Sequence, residues 1–294
     1  MWKKLEHTFI RSLGPSAITD LHSNFKSNRL LITIAGDQLT GKSSLSNALK
    51  LSPEIQTAAN GRIHQRSTGQ TMRELAAEKN VSIGELSNIL AKDTNNNQDG
   101  GIVDINLDYR TIKLILGEGA KEGEEEKEED TDQTSPSSLL ILEGRQPAVM
   151  ATYCTERIPS HTQLPFRVYL KCSVYEQAIR YIDREISASA RIEVEKYLPP
   201  GDNKMYPTME NVLEQIEGQP FQGHDQVIRG IRSTMHRDQQ DQQRFDMLYG
   251  KELNYRNTLF YDLVVDTSNI SSKEKVQTVG DAWIKWIEKQ TLEC

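Results

Sequence analysis

Gly36-Asp37-Gln38-Leu39-Thr40-Gly41-Lys42-Ser43 satisfies the spacing G-x-x-x-x-G-K-[ST], a pattern suited to holding phosphate oxygens. The glycines let successive backbone N–H groups curl around an anion, and the helix that follows adds the partial positive charge of its N-terminus. Lys42 would neutralise β- and γ-oxygens, and Ser43 would supply a hydroxyl to Mg²⁺. The residues expected to wrap a nucleoside triphosphate are therefore Gly36, Asp37, Gln38, Thr40, Gly41, Lys42, Ser43 and Ser44. A chance match in a turn is the plain alternative. The context argues against it, because an apolar run ending in Ala35 precedes the motif and a helix-like stretch, GKSSLSNALKL, follows it. Alone, the motif specifies a ligand class and not a reaction.

Three further groupings carry chemistry. Ser67, Thr68 and Gly69 form a hydroxyl-rich turn, with Arg73 one helical turn on, where a guanidinium could clamp a phosphate in bidentate fashion. Glu143-Gly144-Arg145 places a charged pair at the end of an apolar run, with a glycine that permits close backbone approach. Arg237, Asp241 and Arg244 are spaced four and three, so they share one helical face. Taken singly, each has a bland reading as an ordinary solvated charge.

These groups need elements to hold them. Short apolar runs at Leu30–Ala35, Leu139–Leu142, Phe166–Cys172 and Asp262–Asp266 suit buried strands, with a weaker one at Ile63–Ser67. Helical patterns cover about 70–78, 82–92, 103–116, 175–185, 226–249 and 272–289, the last with Trp283 and Ile287 inward. Ser82 and Glu85 have the spacing of a capping box. Leu5, Phe9, Ile10 and Leu13 give 1–28 the spacing of a short docking helix, and this segment is set apart as an N-terminal extension. Residues 29–290 are read as one domain. Residues 117–138, dense in Glu, cannot bury enough surface to offset ordering entropy and are expected to form a disordered acidic loop. Pro199, Pro200, Gly201, Pro207 and Pro220 mark 188–232 as an irregular insertion with one helix near 208–217. Strands alternating with helices imply an α/β fold with a parallel sheet covered on both faces, whose ligands bind beyond the carboxyl ends of the strands.

The bulk numbers exclude several classes. A net charge of −7 and no basic, aromatic-interleaved patch argue against nucleic-acid binding. No apolar run approaches the length of a membrane span or a signal segment. The three cysteines, Cys154, Cys172 and Cys294, have no metal-site spacing and cannot all pair within one chain. Reduced thiols in the cytoplasm are the expectation.

Together the motif, STGQTMRELAAEKNVSIGEL (67–86), VDINLDYR (103–110), LILEGRQ (140–146), RVYLKCSVYEQAIRYIDRE (167–185), RDQQDQQRFDMLYG (237–250) and FYDLVVDTSNIS (260–271) resemble the cytidylate kinases, and the compact archaeal-type members most. The resemblance covers about half of the chain in the family's order. It implies a P-loop NTPase fold, a five-stranded parallel sheet flanked by helices with a lid and nucleotide-binding insertion. It also implies transfer of the γ-phosphoryl of ATP to CMP or dCMP with Mg²⁺ by a monomer. On that basis Arg73 would hold the acceptor phosphate, Arg145 would contact the acceptor, and Asp108 would partner the base. Ser67, Thr68, Gly69 and Gly144 would line the acceptor site. Arg180 and Arg184 would close over the phosphates. Arg237 and Arg244 would approach the transferring group, and Asp241 would orient an arginine or the sugar. The chain departs from the family at Leu39, where a third loop glycine is usual, at Gln146 and at Gln177. AMP or UMP as acceptor, or a nucleotide binder without transfer, are the alternative readings.

Overall fold

The computed structural model describes residues 1–22, 29–81, 101–117, 138–158 and 164–293. Strands β1 (Arg29–Gly36), β2 (Ile63–Ser67), β3 (Ser138–Gly144), β4 (Phe166–Lys171) and β5 (Leu263–Asp266) form one sheet in the order β2-β3-β1-β4-β5. Every pairing is parallel. β1 is central because it is apolar on both faces: Leu31 to Gly36 are all buried. Ile32 lies opposite Ile141 on one side and Phe166 on the other. Such a strand is stable only with helices above and below it.

Those helices are α1 (Lys3–Leu13), α2 (Ala17–His22), α3 (Lys42–Leu51), α4 (Pro53–Ala58), α5 (Thr68–Glu78), α6 (Ile102–Leu116), α7 (Pro147–Arg157) and α8 (Val174–Glu185). After them come α9 (Ala188–Glu195), α10 (Met209–Ile216), α11 (His224–Tyr249) and α12 (Ser272–Glu293). One face of the sheet packs on α3, α4 and α12 through Leu45, Leu49, Ile55, Val279 and Trp283. The other packs on α7, α6 and the C-terminal part of α11, with Phe245, Leu248 and Tyr249 inside.

The N-terminal extension docks on this second core. Trp2, Leu5 and Phe9 are buried there, and the Trp2 indole donates to Glu156 at 2.7 Å. Ile10, which has the right spacing for the same face, is instead exposed. Trp283 is fully buried as expected, and Ile287 is partly buried.

The helix expected near 208–217 is present as α10, but the expectation that the rest of 188–232 is irregular is corrected. Helices α8, α9, α10 and the first turns of α11 enclose a core of their own, with Ile182, Val194, Leu198, Val212, Ile216, Val227 and Ile231 buried. Prolines that read as breakers only separate short helices whose apolar faces meet each other. Helix α7 matched no expectation. Residues 147–154 are all buried, so the stretch lacks the polar face that gives a periodic signal.

The pattern at 82–92 lies outside the described residues, as do residues 118–137 of the acidic segment. Cys154 and Cys172 carry free thiols. Among the described residues no helix is long and apolar enough to cross a membrane.

Candidate functional site

β1 ends at Gly36 between β3 and β4, and the chain then turns through residues 37–41 into α3. The Lys42 ammonium donates to the carbonyl oxygens of Gly36 (2.9 Å) and Asp37 (2.5 Å), closing the loop on itself. Burial, and after it the Arg145 guanidinium, push the Lys42 pKa down to about 8. Thr40 tightens the turn by donating to the Asp37 carbonyl at 2.9 Å. Leu39 adopts φ +62°, a left-handed conformation that costs a side chain with a Cβ about 1–2 kcal/mol. Leu39→Gly is therefore expected to leave stability within about 1 kcal/mol, whereas β-branched Leu39→Val should cost about 1–2 kcal/mol. Urea unfolding of the two variants measures the difference.

Next to the loop, Ser43 donates through Oγ to Glu143 Oε1 at 3.0 Å, across to the end of β3. Glu143 Oε2 is buried with no hydrogen-bond partner, and burial raises the carboxyl's pKa against the opposing effects of Ser43 and Lys42. One residue on, Gly144 lies against Thr68. A Cβ there would stand 2.0 Å from Thr68 Oγ1, so no larger residue fits. Thr68 Oγ1 donates to the Glu143 carbonyl (3.2 Å), and Ser67 caps α5 by accepting from the Gln70 N–H (3.0 Å).

Arg145 is the hub of the site. Its guanidinium meets Asp238 at 2.6 Å, Asp241 at 2.6 Å and Asp37 at 3.5 Å, and donates to the Tyr255 hydroxyl at 2.8 Å. Asp37 Oδ1 also accepts from Arg256 Nη2 at 2.8 Å and from the Tyr255 hydroxyl. Asp241 pairs in turn with Arg244, whose Nε lies 2.5 Å from Asp104 Oδ2 without hydrogen-bond alignment. Charges of alternating sign thus run from the loop to a pair of buried carboxyls on α6. Burial raises the pKa of Asp104 to about 6 and that of Asp108 to about 8. Asp108 accepts from the Tyr249 hydroxyl at 2.8 Å.

Asp108 has a consequence for stability. The folded chain holds its proton up to about pH 8, against an ordinary value of 3.8. Both states are protonated below pH 4. As pH rises toward 8 the unfolded chain alone gains by ionising, and stability is lost. Asp108→Asn should therefore be more stable than the parent by on the order of 1–3 kcal/mol at pH 8, and by almost nothing at pH 4. Urea melts at the two pH values check the sign.

A cavity of about 670 Å³ joins these groups. Gln38 and Lys42 line it on the loop side, Gly144 and Arg145 at the end of β3, and Thr68 and Gly69 at the start of α5. Asp104 and Asp108 line it from α6, and Arg237, Asp241 and Arg244 from α11. Arg237 reaches it with no ion pair among the described residues.

Three arginines expected at the site are not among the residues that line the cavity. Arg73 is exposed on α5, its Nη1 near Gly69. Arg184 is exposed and pairs with its neighbour Glu185 at 2.6 Å. Arg180 reaches the outer side of the loop, donating to the Leu39 carbonyl (3.1 Å) and to Thr267. Ser44 is exposed at the first turn of α3.

The sequence reading did not find Asp37 as a side-chain anchor, nor Asp104, Asp238, Tyr255 or Arg256. Asp238 follows Arg237 directly, and the i, i+3 step from it to Asp241 was the one available signal. Nothing local links Asp37 to Arg256. Among the described residues no group of three or more His, Cys, Asp or Glu is arranged to hold a metal ion.

No family model matches the chain, and no curated protein matches it significantly. Among solved structures, a similar chain is an uncharacterized protein from Eubacterium ventriosum ATCC 27560, at 11% identity and a TM-score of 0.41, covering 88% of this chain and 99% of that one. A likeness at that level carries no argument; what the chain itself shows is an α/β protein with a five-stranded, wholly parallel sheet flanked by helices.

Proposed function

We propose that this chain is a P-loop nucleoside monophosphate kinase, transferring the γ-phosphoryl group of ATP to CMP or dCMP. The observation that carries the reading is a cavity lined together by the loop lysine, by Arg145, Arg237 and Arg244, and by the carboxyls of α6. Phosphoryl transfer asks for in-line positioning of two anions and for cations around the charge that spreads over the γ-oxygens. Lys42 and the arginines supply the cations. The attacking phosphate is already ionised, so no general base is required.

Asp37, Asp238 and Asp241 now occupy the guanidinium of Arg145. An acceptor phosphate would take over part of that fork, which suits bidentate recognition. Asp104, ionised above about pH 6, favours a base that offers an exocyclic amine, since an ionised carboxylate only accepts hydrogen bonds, whereas Asp108, which keeps its proton at pH 7, can accept or donate. Cytosine has that amine and uracil does not.

Ser43 and Glu143 fit the requirement for Mg²⁺, because a hydroxyl and a buried carboxylate with one oxygen unpaired face the same spot. Bound there, the ion would neutralise phosphate charge and orient the β- and γ-oxygens. Few protein ligands are needed, since Mg²⁺ keeps waters and takes oxygens from its nucleotide.

The test is ADP release from ATP and Mg²⁺ with CMP, dCMP, UMP and AMP supplied separately. Selective turnover with CMP or dCMP supports the assignment. Turnover with UMP or AMP alone would move the acceptor, and ATP binding with no acceptor-stimulated turnover would overturn the kinase reading.

A further inference from the structure

Lys275, in the first turn of α12, is only 5% exposed. Its Nζ stands 2.6 Å from the position a Cβ on Gly41 would take, and Arg180 Nη1 stands 3.9 Å from the same point. The ammonium and the guanidinium therefore flank the last turn of the glycine-rich loop together. Arg180 has Glu176 at 3.0 Å. Lys275 has no carboxylate within ion-pair distance among the described residues, and burial and Arg180 both lower its pKa. Two cations held side by side repel each other. Such a cost is tolerated where a ligand brings the missing charge.

The two ends of the loop are chemically distinct. Lys42 reaches back to the carbonyls of Gly36 and Asp37, and the cavity with the arginines lies on that side. Lys275 and Arg180 sit at the opposite end, beside Gly41, Leu39 and Thr267. A polyphosphate laid along the loop with its terminal group near Lys42 would bring its sugar-proximal phosphate to that end.

Resting on the kinase reading above, we propose that Lys275, with Arg180, binds the α-phosphate of the donor nucleotide. It is a donor-positioning residue at a site apart from the acceptor cavity. Gly41 adopts φ +88°, which a residue with a Cβ rarely takes, and a Cβ there would also push the Lys275 ammonium aside.

The experiment is calorimetric titration of the full chain with ATP, ADP and adenosine in the presence of Mg²⁺, for the parent, Lys275→Met and Lys275→Arg. Lys275→Met should weaken ADP and ATP by about 10- to 100-fold, as expected for a lost charge-assisted contact, and leave adenosine unchanged. Lys275→Arg should recover most of the loss. The ligand-free Lys275→Met protein should melt at a higher temperature than the parent, since its repulsion of Arg180 is gone, whereas a structural lysine would lower it. The KM for the acceptor should not move.

Equal ADP affinity in parent and Lys275→Met overturns the proposal, as does an equal loss for adenosine, which would assign Lys275 to the base. Where Lys275→Met does not fold, the structural role is favoured and the proposal falls unless Lys275→Gln, folded, shows the same selective loss. Failure of the parent itself to bind ATP would instead overturn the kinase reading.

Discussion

Lys42→Ala is expected to lower phosphoryl transfer by at least about 10³-fold, the scale of removing a charge that acts on the transition state in a closed site. The fold should survive, because the ammonium's partners are the carbonyls of Gly36 and Asp37 rather than a buried carboxylate. A far-ultraviolet spectrum and a melt close to the parent's should therefore accompany the loss. Full turnover by this variant would sink the proposed mechanism. The pH dependence adds a second check. With its pKa near 8, Lys42 is charged at pH 7 and largely neutral at pH 9. Donor binding above pH 8 must then take up a proton, which titrations in buffers of different ionisation enthalpy will read.

Arg145→Met should have the largest effect on stability, about 3–5 kcal/mol, because it leaves buried carboxylates without their cation. The losses are unequal. Asp37 keeps Arg256 and Asp241 keeps Arg244, whereas Asp238 retains only the Gln38 N–H. Asp238 is therefore the group that destabilises the variant, and Asp238→Asn in the same chain should restore about half of the loss. It should restore no transfer, since the fork that would meet the acceptor is still missing. The penalty also depends on protonation. Burial already raises the Asp238 pKa, and losing Arg145 raises it further, so the gap between variant and parent should close as pH falls toward 4. Chemical denaturation at pH 4.5 and pH 7.5 distinguishes this from a simple packing defect, which would not titrate.

Much of this arrangement is legible in the chain, for identifiable reasons. The strands could be read because a parallel sheet covered on both faces leaves apolar runs such as Leu30–Ala35 and Leu139–Leu142. The face shared by Arg237, Asp241 and Arg244 could be read because helical spacing is local. Helix α7 was opaque because burial on all sides removes its periodicity. Helix α10 was legible near 208–217, but α9 and the core these helices share were opaque, because that core is assembled between elements and prolines dominate the local signal. Arg184 points away with Glu185, although the resemblance puts it among the phosphate contacts. The Asp37 anchor joins residues more than 200 positions apart, as the contact with Tyr255, 218 positions away, illustrates. No rule of spacing reaches that far.

Helix α11 runs for 26 residues, about 39 Å, and belongs to two cores. Val227, Ile228 and Ile231 are fixed in the module of α8, α9 and α10, while Phe245, Leu248 and Tyr249 are fixed beneath the sheet. Arg237, Asp241 and Arg244 lie between these anchorages. Mechanically the helix is a lever with its working parts along the shaft. A tilt of 10° about the sheet-bound end would carry the module end through roughly 6 Å, taken from the helix rise, yet move the arginines by about half of that or less. The module can therefore swing widely while the charges at the site are adjusted finely, and a kink introduced between Ile231 and Arg237 would uncouple the two.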